Sequence, residues 1–123
     1  MAGDQVEIQF PKTRYPERTS FTATAYFRTR ATAAAATPTT VHYRIDNLST
    51  RQLVTDWTSV TPGTTASITI KSGENVISNN DGFSYSNWPK WETMQLTVAI
   101  DKDLDSMVVA SKEWRCDNKF GVQ

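Results

Sequence analysis

The stretch Val41-His42-Tyr43-Arg44-Ile45-Asp46, followed by Trp57-Thr58-Ser59-Val60-Thr61-Pro62-Gly63 and Ile68-Thr69-Ile70, alternates apolar with polar residues between turn formers. Successive side chains of an extended chain point to opposite faces, so a two-residue period sends one row into a core and the other into water. Val41, Tyr43 and Ile45 are predicted inward, with His42, Arg44 and Asp46 outward. Residues 47–51 then turn the chain into a strand around Leu53 to Trp57, closing a hairpin. In Thr61-Pro62-Gly63 the proline pre-sets its own backbone angle and the glycine is free to take a positive one. A short strand through Ala66, Ile68 and Ile70 follows.

The same rhythm extends in both directions. Val6, Ile8 and Phe10 alternate with Gln5, Glu7 and Gln9 until Pro11, which has no N–H to give to a ladder. Residues 12–19 read as a polar connection. Phe21, Ala23, Ala25 and Phe27 share one face against Thr22, Thr24, Tyr26 and Arg28, the longest clean alternation and so a central strand. The alanine-rich 31–37 reads as a loop because Pro38 stops it between strands. Residues 71–90 lose all periodicity and are predicted to be the longest loop, with a helical turn near 74–77. Met94, Leu96, Val98 and Ile100 against Thr93, Gln95, Thr97 and Ala99 mark a second central strand. After a turn at 101–106, the last strand, 107–116, is ambiguous in phase, since Val108, Ala110 and Trp114 oppose Met107 and Val109; a bulge near Lys112 is expected.

About seven strands at roughly ten-residue intervals predict an all-β, immunoglobulin- or fibronectin-III-like two-sheet antiparallel β-sandwich. It should occupy residues 5–116, with residues 1–4 as an N-terminal extension and 117–123 as a C-terminal tail. A chain of 123 residues suits one core. With a single cysteine there is no inter-sheet disulfide, and Trp57, Tyr43 and the aliphatic rows are expected to fill the interior.

Composition narrows the functional classes. Lys plus Arg and Asp plus Glu both number 13, which removes the net attraction that nucleic acid binding draws on. The lone Cys116, with no apolar leader-like run near the start, points to a reducing cytoplasm. No run is long enough for a membrane span, so no membrane partner is expected. Asn47-Leu48-Ser49 fits a glycosylation pattern that matters only on a secretory route.

The possible chemical centres are sparse. His42, the only histidine, falls on the outward row beside Arg44 and reads as a solvated strand residue rather than part of a Ser-His-Asp arrangement. One histidine and one cysteine do not make a zinc site. Asp101-Lys102-Asp103-Leu104-Asp105 resembles the opening of a calcium loop, but Ser106 stands at the glycine position and Lys112 at the bidentate glutamate position, leaving an acidic turn. Phosphate-binding glycine patterns are absent from the sequence. No catalytic, metal or cofactor residue is named, and a non-enzymatic protein is expected.

Partner binding is better supported. Lys12, Arg14, Arg18, Arg28 and Arg30 with Tyr15 and Tyr26 could form a positive, stacking rim; ordinary surface cations balanced by Glu7 and Glu17 are the plainer reading. Phe83-Ser84-Tyr85-Ser86-Asn87-Trp88-Pro89-Lys90-Trp91 places four large aromatics in nine residues outside regular alternation, and such surface is costly to leave in water. Phe83 and Trp91 suit a lid over the sandwich, and Tyr85 and Trp88 suit anchors for a partner. The expected partner-binding set is Tyr85, Trp88, Trp91, Arg14 and Tyr15.

Phe21 through Arg28, Thr39 through Asp46, Asp56-Trp57-Thr58 and Ile68-Thr69-Ile70 together resemble small immunoglobulin-like virion proteins of tailed bacteriophages, a likeness spanning about two thirds of the chain. Its strongest element is the Tyr43-x-Ile45-Asp46 strand with its hairpin and Trp57-Thr58, which bacterial adhesin and fibronectin-like modules share. The aromatic loop and the last strand depart from the pattern. The resemblance implies a structural subunit made in a host cytoplasm and assembled into the virion. A capsid decoration or cement protein bridging capsid subunits comes first, then a head-to-tail connector or tail component. Its partners would be the major capsid protein or neck and tail proteins, with a homo-oligomer as a further option. From another class comes a carbohydrate-binding or adhesion module using Trp88 and Trp91 as a stacking platform.

Overall fold

The computed structural model describes residues 4–77 and 91–117. In chain order the strands are β1 (Asp4–Gln9), β2 (Arg14–Pro16), β3 (Phe21–Thr29), β4 (Val41–Asn47), β5 (Gln52–Val60), β6 (Thr65–Ile70), β7 (Trp91–Ile100) and β8 (Val108–Asp117), with one 3₁₀ turn at Ser72–Glu74. They form two sheets, β1-β3-β6 and β2-β8-β7-β4-β5. The chain is therefore all-β, with the inner rows of both sheets meeting in a common core as in a sandwich. Residues 1–3 and 118–123, most of the expected terminal extensions, lie outside the described residues.

The predicted alternation sets the inner rows. Ala23, Ala25 and Phe27 of β3 and Ala66, Ile68 and Ile70 of β6 are buried on one side. Val41 and Ile45 of β4 and Met94, Leu96, Val98 and Ile100 of β7 are buried on the other. Each large aliphatic or aromatic side chain so covered contributes about 1.5–3 kcal/mol.

Four expectations are corrected. Residues 12–19 are more than a connection: Pro11 ends β1, the chain crosses to the other sheet, and Arg14–Pro16 forms β2, parallel to β8 with Tyr15 opposite Cys116. That crossing carries Tyr15 into the core, its ring stacked on Phe21 at 3.8 Å between centroids. β8 has no bulge at Lys112, since its register with β7 runs unbroken from Trp91↔Asp117 to Ile100↔Val108. Val108, Ala110, Trp114 and Cys116 thus share the inner row, and Lys112 leaves it by placing its ammonium 5.6 Å from the Phe10 ring centroid.

The irregularity lies in β4 and β5 instead, between Tyr43 and Asp46. Thr55 sits opposite Ile45 and Thr58 opposite Tyr43, so the extra residue between them resets the alternation and turns Trp57 outward. Trp57, expected in the core, is half-buried on the outer face, with Arg44 and Lys102 each 5.6 Å from its ring. Among the described residues the interior tryptophan is Trp114. The short helical turn falls at Ser72–Glu74 rather than 74–77, because the Glu74 carboxylate accepts the Lys71 N–H at 2.8 Å and closes the turn early.

Candidate docking surface

Odd-numbered residues of β7 and β8 face away from the core, and at the start of β7 this row begins with Trp91. Its ring is 46% exposed and lies opposite Asp117, while Arg14 lies opposite Arg115. Asp117 accepts Nε of Arg14 at 2.9 Å through one oxygen and Nε of Arg115 at 2.5 Å through the other. The Arg115 guanidinium then sits 4.3 Å from the centroid of Trp91. Arg14, Asp117, Arg115 and Trp91 form one continuous relay across three strands. Exposed ion pairs contribute at most about 1 kcal/mol and an exposed cation–π contact about 0.5–1 kcal/mol. The relay therefore orders an exposed aromatic far more than it stabilises the fold.

A second aromatic–cation group lies on the same face. Asp46 holds Arg44 with a two-pronged contact, at 3.0 Å to Nε and 2.8 Å to Nη2, and this pairing raises the guanidinium pKa further above its ordinary value. Arg44 in turn flanks Trp57. Next to Arg44 in the register come Thr97 and then Ser111, whose hydroxyls hydrogen bond at 3.0 Å. The outer face thus carries two tryptophans beside paired arginines, with the exposed Ser111 and the buried Thr97 between them.

Of the expected partner-binding residues, Trp91 and Arg14 are brought together. Trp91 opens a strand on the outer face and is not tucked over the sandwich as a lid. Tyr15 is corrected: at 5% exposure its ring packs the core, and its hydroxyl accepts the Lys12 N–H at 2.8 Å. Tyr85 and Trp88, together with Phe83, lie outside the described residues. Sequence reasoning passed over Arg115 and Asp117, although their odd-numbered phase with Trp91 was available once the register of the last two strands was known.

Beneath this surface the interior holds an unusual amount of polarity. Asn75 is fully buried; its Oδ1 accepts Trp114 Nε1–H at 2.9 Å, and its Nδ2 donates to the carbonyls of Pro16 and Thr19 at 3.0 Å each. Asn47 Nδ2 donates to the buried Glu92 carboxylate at 2.7 Å. Cys116 is buried among these groups, and burial first, then the carboxylates of Glu17, Glu92 and Asp117, pushes its thiol up to about 12. At neutral pH it is a small buried hydrophobe and no nucleophile.

The other constellations have structural duties. Asp101 takes a positive φ of 52°; one carboxylate oxygen accepts the Thr39 and Thr40 N–H groups at 2.7 and 3.4 Å, and the other accepts the Ser106 hydroxyl at 2.9 Å. That carboxylate ties the end of the 31–40 loop to the β7–β8 turn. His42 is half-buried rather than solvated, its Nδ1 enclosed without a hydrogen-bond partner among the described residues. It borders a cavity of about 450 Å³ whose polar lining includes Thr39, Thr40, Ser59 and Thr61, with no carboxylate among the described residues. Among the described residues no group of three or more His, Cys, Asp or Glu is placed to hold a metal ion. No helix among them is long and apolar enough to cross a membrane.

No protein-family model matches the chain, and no curated protein matches it either.

Proposed function

We propose that this domain is a non-enzymatic structural subunit of a tailed-phage virion, a capsid decoration or cement protein that docks through the outer face of its five-stranded sheet. The observation that carries the docking reading is Trp91, a tryptophan held exposed by the Arg115–Asp117–Arg14 relay. An aromatic fixed in one orientation loses little entropy on binding and is the kind of residue that dominates interface energies. The strand order supports the finer, immunoglobulin-like reading: β1, β3 and β6 correspond to strands A, B and E, and β4, β5, β7 and β8 to C, C′, F and G. The virion assignment rests on the sequence resemblance set out above.

Mass-spectrometric quantification of the chain against the major capsid protein in purified particles tests the assignment. Several hundred copies support decoration, and about six or twelve support the connector or tail alternative. Absence from particles rejects both.

A further inference from the structure

β8 is flanked along its whole length by β7, but on its other side β2 covers only Arg115 to Asp117. Among the described residues no strand covers that side from 108 to 114. The cause is Pro11: the chain leaves β1 there, crosses between the sheets, and reaches β8 only at Arg14. The direction of the uncovered backbone groups follows from two hydrogen bonds. Arg115 N–H donates to the Thr13 carbonyl at 3.0 Å, and the Asp117 carbonyl accepts the Glu17 N–H at 2.8 Å. Odd-numbered residues therefore direct their N–H and C=O away from β7. Because the β7–β8 register is unbroken, Val109, Ser111 and Glu113 present theirs at the open edge.

β1 contributes a second open edge. Phe27 N–H donates to Thr64 on the β6 side at 3.2 Å, so the even-numbered residues of β3 face β1. Their partners Gln5, Glu7 and Gln9 face back, and Val6 and Ile8 turn their backbone groups outward. β1 and β8 lie beside each other across the sandwich, with a cleft of about 300 Å³ between them, lined by Val6, Val108 and Ala110 and by Tyr26, Arg28 and Arg30. Its lining is positive on balance, with Arg28 and Arg30 against Glu7, and Glu113 adds one carboxylate on the outer side of the β8 edge. Among the described residues Glu7 is the only carboxylate in the lining, and it is taken by Arg28 at 2.8 Å. Arg30 has no carboxylate partner among the described residues, and Lys112, whose ammonium lies over Phe10, is near enough to act on the charge of the lining residue Glu7.

We propose that this open side binds an extended, acidic segment of a partner polypeptide. The segment adds to β8 as a strand along Val109, Ser111 and Glu113 and sets its carboxylates against Arg30 and Lys112. Lysine at a free edge normally deters strand pairing; here it deters a neutral or basic strand, such as another copy's edge, and rewards an acidic one. This site lies toward the opposite end of β8 from Trp91 and stands whatever the virion assignment proves to be.

The test uses two labelled peptides of about ten residues, one alternating Val with Glu and one alternating Val with Lys. Fluorescence anisotropy reads affinity, and amide hydrogen exchange reads position. The Glu peptide should bind at least about tenfold more tightly than the Lys peptide at low salt and should slow exchange at Val109, Ser111 and Glu113. Val109→Pro removes an N–H that no internal bond uses among the described residues, so the variant should fold and lose the peptide. Arg30→Glu, which keeps the backbone intact, should shift the preference toward the Lys peptide. Failure of both peptides to bind, equal affinity for the two, protection elsewhere, or full binding by folded Val109→Pro overturns the proposal.

Discussion

The two faces of the five-stranded sheet use tryptophan in opposite ways. On the inner face Trp114 meets Phe10 and Phe21 edge-on at 5.7 and 5.3 Å and gives its indole N–H to the buried amide of Asn75. On the outer face Trp91 and Trp57 have no aromatic ring against them among the described residues and lie beside guanidinium groups. An indole in the interior needs a shape-matched set of rings and a partner for its one polar atom. An indole on the surface is held by cations that remain hydrated at their rims. Residue type is the same on both faces; the neighbours decide whether the ring is packed into the core or held at the surface.

Truncation is the sharpest way to break this comparison. Trp114→Ala should cost about 3–5 kcal/mol, the range for a large aromatic removed from a packed core, read as a fall in the urea midpoint. Asn75→Ala should follow at about 1–3 kcal/mol, because it strands the buried Trp114 N–H and removes a donor from the Pro16 and Thr19 carbonyls. Retention of wild-type stability by either variant would mean that the interior polar cluster does not hold β2 and β8 together.

Cys116 sharpens the contrast through pH. The folded thiol holds its proton to about 12 against an ordinary value of 9.0, so between those values the folded state binds more protons than the unfolded one. Its contribution is complete below pH 9.0 and is lost as pH rises through about 12. Wild type should therefore lose stability over that window faster than Cys116→Ala in matched denaturant titrations. At pH 8 the native thiol should react with Ellman's reagent only as fast as the chain unfolds. Rapid reaction of the folded protein would show the thiol to be exposed.

The smallest stability effects belong to the outer face. Trp91→Ala and Asp117→Asn should each change stability by less than about 1 kcal/mol, while Trp91→Ala should lower the copy number of the chain in purified particles. Loss of several kcal/mol on Trp91→Ala would move that ring from the docking face into the fold's own support.

How much of this was legible beforehand depended on the range of the interaction. Alternation alone located β3, β4, β6 and β7, because their inner rows are apolar at every second position. It could not place β2, three residues long and half polar, whose existence depends on pairing with a strand some 100 residues away. Trp57 misled because β5 shifts register against β4 twice, between Leu53 and Thr55 and again between Thr55 and Thr58, and nothing local in Thr55-Asp56-Trp57 signals the second shift. Trp91 and Arg14 were picked out by residue type, yet the relay joining them runs through Arg115 and Asp117, which only the β7–β8 and β2–β8 registers bring together. Asn75 sits in aperiodic sequence and gave no sign of its burial.

Hydroxyl-radical footprinting of the free protein and of purified phage particles tests the docking face most directly. Trp91 should be readily oxidised in the free chain and strongly protected in particles, with Trp114 protected in both. Equal oxidation of Trp91 in the two states, with the protein present in the particles, would contradict the assignment of this face to docking.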